Sequence, residues 1–163
     1  MDDKKQRLRT DYGFFLTYRT RWSDNDQYGH VNNAIYYHLF DAVVNTYLIE
    51  QCGMDPMKSE HIGLVVSSFC EFFSPVAFPD VLDLGLRVTR LGTSSVTYEV
   101  GVFKSKASFQ ERNEVSDMVC AVGGYTHVFV ESASRGSTPM SGVLRSNLMK
   151  LAKQTPAPAI SKL

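Results

Sequence analysis

Residues 34–51 form a segment that is apolar around most of a helical circumference. Tyr36, Phe40, Val43, Tyr47 and Leu48 recur at helical spacing, and Ile35, Leu39 and Val44 widen the face well beyond a narrow stripe. Only His38, Asp41 and Asn45 make a polar line along it. Such a helix must be embraced by other structure and cannot simply lie on a surface. Cys52-Gly53 stops it, because glycine readily takes the conformation that follows a last helical turn.

What embraces the helix reads as sheet. Residues 14–22 are aromatic and β-branched, and from 16 to 22 they alternate as a strand does. Residues 62–73 are one β-rich run, closed by Ser74-Pro75 and followed by the turn Phe78-Pro79-Asp80. Residues 81–91 alternate, with Leu82, Leu84, Leu86 and Val88 on one side and Asp83, Gly85, Arg87 and Thr89 on the other. Gly92-Thr93-Ser94 turns the chain into a further strand carrying Val96, Tyr98, Val100 and Val102. A polar connection over 104–114 leads to a last strand at 115–131, where Gly123-Gly124 is costly unless the backbone bulges or something approaches closely. The order predicts an α+β domain, an antiparallel sheet wrapped around a long central helix. An N-terminal extension occupies 1–12, the domain 13–131, a linker and short helix 132–153, and a flexible tail 154–163.

At 163 residues the chain has room for one domain with a real core. Lys+Arg and Asp+Glu both total 17, so no net field exists to hold a polyanion, and nucleic acid is not an expected partner. No apolar run approaches the ~20 residues that span a bilayer, so no membrane partner is expected either. The N-terminal residues carry charges of both signs, unlike a signal or transit peptide. Cys52, Cys70 and Cys120 are far apart and odd in number, which predicts reduced, buried thiols in an intracellular protein. Ser161-Lys162-Leu163 is the tripeptide read by the peroxisomal import receptor, and Pro156 and Pro158 favour an extended tail before it. The expected location is the peroxisomal matrix, with the cytoplasm as the alternative.

Chemistry concentrates in residues 23–33. Asp24, Asp26 and Gly29 fit the start of a calcium loop, but Tyr28 and Ile35 stand where further oxygen ligands belong, so a metal is not expected. Asp24, Asn25 and Asn32 are explained by turn formation, since their side chains bond nearby backbone. Asn32 and Asn33 also cap helices well. That leaves Asp26, Gly29 and His30 at the start of a buried helix, whose unpaired amides suit an oxyanion forming on an attacked carbonyl. A carboxylate beside it can attack, or activate water.

The pattern Asp26-x-x-Gly29-x-Val31-x-Asn33-x-x-Tyr36, after an aromatic strand and before the helix, resembles the signature of hotdog-fold acyl-CoA thioesterases of the 4-hydroxybenzoyl-CoA thioesterase type. The stretch 72–82 and the turn Leu91-Gly92-Thr93-Ser94-Ser95 are similar to later landmarks of that family, and the likeness covers 15–130. It implies the hotdog fold and hydrolysis of an acyl-CoA thioester to free acid and coenzyme A. Asp26 aligns with the family's catalytic carboxylate, a nucleophile or general base. Asn33 aligns with the residue whose backbone amide polarises the thioester carbonyl. Gly29 would allow the close turn between them, His30 would assist, and Tyr36 matches an aromatic that packs or touches substrate. His30, Asn32 and Asn33 stand where the bacterial 4-hydroxybenzoyl enzymes carry apolar and aromatic residues, a departure that concerns that acyl group. No cofactor is implied, coenzyme A being part of the substrate.

Ser67 and Ser68 lie on a strand that in this fold passes near the site and could orient water, while Arg87, Arg90 and Lys104 are candidates for the coenzyme A phosphates. A serine elbow, Gly-x-Ser-x-Gly, is absent. Two rivals remain, a hotdog enoyl-CoA hydratase-like enzyme and a noncatalytic acyl-CoA-binding module. The hydratases separate Asp and His by four residues, which neither Asp26 with His30 nor Asp24 with His30 matches. A lone hotdog leaves a sheet edge exposed, and the family's sites lie between subunits, so a homodimer or homotetramer is expected.

Overall fold

The computed structural model describes residues 3–106 and 117–152, so the tail at 154–163, with the tripeptide expected to be a peroxisomal address, lies outside the described residues. Strand β1 (Phe14–Arg19) leads through a loop into helix α1 (Ile35–Glu50). Strands β2 (His61–Phe72), β3 (Val81–Leu91), β4 (Ser95–Lys104) and β5 (Ala121–Glu131) follow, then helix α2 (Gly142–Ala152). Among the described residues the strands form a five-stranded antiparallel sheet in the order β1-β3-β4-β5-β2. β1 and β2 are its two edges, so α1, which joins them, must cross one face of the sheet.

The apolar circumference of α1 is used as its pattern requires. Tyr36, Leu39, Phe40, Val43, Val44, Tyr47 and Leu48 are buried, and Leu82, Leu84, Leu86 and Val88 of β3 join the same core. Leu144, Leu148 and Leu151 of α2 close it at one end, where the Tyr47 hydroxyl donates to the Asn147 carbonyl at 2.6 Å.

Three boundaries differ from the sequence expectation. β1 stops at Arg19, because the chain curls into a short 3-10 turn, Trp22–Asp24, in which Asp24 accepts from the Arg21 backbone; Trp22 is left 82% exposed. Among the described residues β5 begins at Ala121, with 117–120 outside it, since the Cys120 carbonyl accepts from both Phe73 and Ser74 and ties the chain to the segment after β2. The N-terminal extension, finally, is packed against the domain. Tyr12 is buried on the sheet face opposite α1, over Gly85 and Gly101, which pair across β3 and β4.

Glu99 is the hub of that outer face. It accepts from the Tyr12 hydroxyl at 3.1 Å, Arg7 Nε at 2.8 Å and Arg87 Nη2 at 3.1 Å. Arg87 is therefore no surface cation, as the alternation of β3 suggested, but a buried one beneath the N-terminal segment. The glycine pair of β5 has the close-approach origin. A Cβ on Gly123 would collide with the Phe40 ring, and one on Gly124, at φ +149°, with the Tyr98 carbonyl.

Candidate active site

The loop between β1 and α1 contains a small hairpin. Asp26 N donates to the His30 carbonyl at 2.8 Å, Gly29 N donates to the Asp26 carbonyl at 3.1 Å, and Asn25 bridges to Val31. Gly29 sits at φ +80° with no heavy atom within 4 Å of a would-be Cβ, so the need for glycine there is conformational and not steric. The Asp26 carboxylate is half-buried. Its Oδ1 accepts from Tyr28 N at 2.8 Å, and no donor among the described residues reaches Oδ2.

Asp24 and Asn25 hold this hairpin in place. Asp24 is fully buried and accepts from the Tyr18 hydroxyl at 2.9 Å and from Arg21 N and Nη2, both at 2.8 Å. Burial alone would raise its pKa, but these donors outweigh that and keep the carboxyl below its ordinary range. Asn25 Oδ1 accepts from Phe78 N at 3.0 Å, and Val31 N donates to the Val76 carbonyl at 2.8 Å, so the segment after β2 is stitched to the loop. Asn32 Oδ1 accepts from Ala34 N at 2.9 Å and caps the approach to α1.

Asn33 stands exposed at the N-terminus of α1, and no acceptor among the described residues takes its backbone N–H. Together with the first-turn amides it leaves partial positive charge there. Asn33 lines an open cleft of about 310 Å³ with His30, Val31, Tyr36, Phe72, Phe73, Ser74 and Pro75. Tyr36 is buried edge-on to Phe72, ring centroids 4.9 Å apart, so one side chain serves both core and cleft; burial pushes its phenol pKa up. Asp26 is not a wall of the cleft but sits on the adjoining turn, bonded through its backbone to His30. The wall from Phe72 to Pro75 was visible in the sequence only as a family landmark. Its place beside Asn33 comes from the Val31–Val76 bond, which no local pattern announces.

The other candidates are not gathered here within one protomer. Ser67 and Ser68 are exposed in the middle of β2, at the sheet edge, outside the cleft lining. Arg90 is exposed near the end of β3, whereas the loop meets that strand at its start through the Thr20 N–Asp80 carbonyl bond. Arg87 is sequestered with Glu99. Lys104 Nζ lies 3.7 Å from the Asp80 carboxylate, at the loop's end of the sheet. Among the described residues no group of His, Cys, Asp and Glu is arranged to hold a metal ion.

A family model for the thioesterase superfamily matches residues 28–108. The PA5185 protein of Pseudomonas aeruginosa strain PAO1 superposes with a TM-score of 0.82 at 48% identity, over 93% of this chain and 98% of that one. Slr0204 of Synechocystis, a 1,4-dihydroxy-2-naphthoyl-CoA thioesterase, superposes with a TM-score of 0.71 over 85% of this chain and 96% of that one; at 14% identity the likeness is one of fold. YsmA of Bacillus subtilis is 26% identical over 92 residues, a stretch spanning 56% of this chain and 62% of YsmA. An antiparallel sheet crossed by one long buried helix, in a sequence that the superfamily model matches across the loop, the helix and three strands, is the hotdog fold, and the chain belongs to the thioesterase superfamily.

Proposed function

We propose that the chain is an acyl-CoA thioesterase, hydrolysing an acyl-CoA to free acid and coenzyme A at the cleft under Asn33. The observation that carries this reading is the free Asn33 amide at the N-terminus of α1, opening onto an apolar-walled cleft beside the half-buried Asp26. The thioester carbonyl oxygen accepts from that amide, where negative charge accumulates as the carbon is attacked. Asp26 acts through its unpartnered Oδ2. Either it attacks the carbon, giving a mixed anhydride that water then opens, or it takes a proton from the water that attacks. Both routes break the C–S bond and release a thiolate. With a conjugate-acid pKa near ~8.5, that leaving group departs without strong acid assistance. His30, on the cleft rim, is in reach of the attacking water.

The proposed assembly is a homodimer paired along β2. That edge strand exposes Val65, Val66 and Phe72, and α1 alongside shows Tyr37 and Ile49 to solvent. An unpaired edge with apolar side chains is a template for a second copy. The terminal Ser161-Lys162-Leu163 supports a peroxisomal address, which localisation of the full chain against one ending at residue 160 tests.

Thiol release from a panel of aliphatic and aromatic acyl-CoAs, by wild type and Asp26→Asn, tests the activity. The variant should be slower by about 10²- to 10⁴-fold. Equal turnover would remove Asp26 from the reaction, and coenzyme A binding without any turnover would favour a binding module.

A further inference from the structure

The turn that precedes β3 is knotted on itself at Asp80, a residue only 4% exposed. Asp80 Oδ2 accepts from Ala77 N at 3.0 Å, and Asp80 N donates to the Ala77 carbonyl at 2.8 Å. The Asp80 carbonyl accepts twice from Thr20, from its backbone N–H at 3.1 Å and from Oγ1 at 2.7 Å. Lys104 Nζ, 3.7 Å from Oδ2, compensates the buried charge. Sequence patterning marks residues 78–80 as a turn, but a turn by itself requires no carboxylate so deeply withdrawn from water.

What the knot holds is the Asp26 hairpin. Ala77 lies between Val76, whose carbonyl accepts from Val31 N at 2.8 Å, and Phe78, whose N–H donates to Asn25 Oδ1 at 3.0 Å. Asn25 and Val31 face each other across the hairpin, next to the bond between Asp26 N and the His30 carbonyl. Asp80 therefore fixes the residue that both of these outside anchors flank. Thr20 extends its hold to the start of the loop, since the following residue, Arg21, gives its N–H to the buried Asp24 carboxylate.

Asn33 is placed differently. It leads into α1, which the core grips from Tyr36 to Leu48, so a slack Asp80 turn shifts the acid and not the helix end. Asp26 Oδ1 is held by Tyr28 N, inside the same hairpin, and the carboxylate goes wherever the hairpin goes. Attack, or removal of a proton from water, needs a carboxylate oxygen at about 3 Å from its target, and a misplacement of ~1 Å costs about 10²-fold in rate. Asp80 lies outside the cleft lining, so its part is positioning and not chemistry.

We propose that Asp80 is a positioning residue for the thioesterase reaction, its carboxylate and carbonyl clamping the turn that aims Asp26 at a thioester held by the Asn33 amide. The proposal rests on the thioesterase reading. It is tested by thiol release from acyl-CoA with Asp80→Ala and Asp80→Asn, since asparagine keeps an oxygen for Ala77 N and alanine does not. Asp80→Ala should lose about 10- to 100-fold in kcat with KM within about twofold, and Asp80→Asn should stay within about threefold of wild type. Equal losses in the two variants overturn the clamp.

A second background separates aiming from folding. With no carboxylate left to aim, adding Asp80→Ala to Asp26→Asn should change the residual turnover by less than about twofold. An aspartate that merely stabilises the fold lowers both backgrounds by one factor, and that result overturns the assignment. Where Asp80→Ala does not fold, Thr20→Val, which keeps the shape and removes the Oγ1 donor, takes its place in the same comparison. It should cost about threefold in kcat with Asp26 intact and nothing in the Asp26→Asn background, and equal effects in the two overturn the assignment. A wild type that cleaves no thioester at all defeats the thioesterase reading instead. Hydrogen exchange then still reads the clamp. Asp80→Ala should speed exchange at Asp26 N and Val31 N about tenfold relative to the α1 amides, with Asp80→Asn leaving it as in wild type. Unchanged exchange in both variants overturns it.

Discussion

At φ +80°, Gly29 occupies a backbone region that costs an alanine about 1 kcal/mol, and no neighbour would meet the added methyl. Gly29→Ala should therefore lower the unfolding free energy in urea by about 1 kcal/mol, and Gly29→Asn by less, since asparagine tolerates that region better. A loss of thiol release well beyond that stability change would show that the turn aims Asp26. His127 gives a second residue-scale test. An unfolded chain protonates histidine near ~6.5, whereas the folded chain keeps this ring neutral to about 4. Between those values the unfolded state holds the extra proton, so stability is complete above the upper value and falls as pH drops, by at most about 3 kcal/mol. Urea titrations across this window should show His127→Phe losing less stability than wild type; parallel curves would refute the assignment. The burial of His127 was not legible in the sequence, where the residue is one histidine in an alternating strand. Its surroundings depend on Gly63, whose strand is paired with β5 only in the fold.

At the scale of elements, α1 was the most legible feature because its signal is local. A helix apolar around most of its circumference specifies its own burial, and the structure places it from Ile35 to Glu50, close to the expected 34–51. The N-terminal segment was illegible for the opposite reason. Arg7 and Glu99 are 92 residues apart, and nothing in either stretch foretells the other. Arg87 was misplaced by the same gap, since alternation identifies two faces of a strand without saying what covers the second. The buried cluster makes a stability prediction. Glu99→Gln leaves Arg87 and Arg7 without their carboxylate and should cost about 3 kcal/mol in urea unfolding. Replacing the buried pair together, Glu99→Leu with Arg87→Met, should recover part of that loss, because it removes the more deeply buried of the two arginine charges that the carboxylate faces.

At the scale of the whole molecule, the fold class followed from one buried helix and a run of alternating strands, while the cleft did not. Its far wall, Phe72 to Pro75, meets Asn33 only once β2 has been carried to the opposite sheet edge from β1. The same edge sets the expected assembly. Val66→Lys puts a charge in the exposed middle of β2 and should yield monomers in light scattering, with thiol release falling in step. A dimer that survives the substitution would put the contact elsewhere.

Gly85 and Gly101 face each other across neighbouring strands and leave a furrow that the Tyr12 ring fills. Descendants of this sequence cannot vary these three positions one at a time. A methyl on either glycine evicts the ring, and a smaller residue at position 12 leaves the furrow empty. Drift at these sites is thereby channelled into concerted exchange, and the trio should be inherited or lost as a unit.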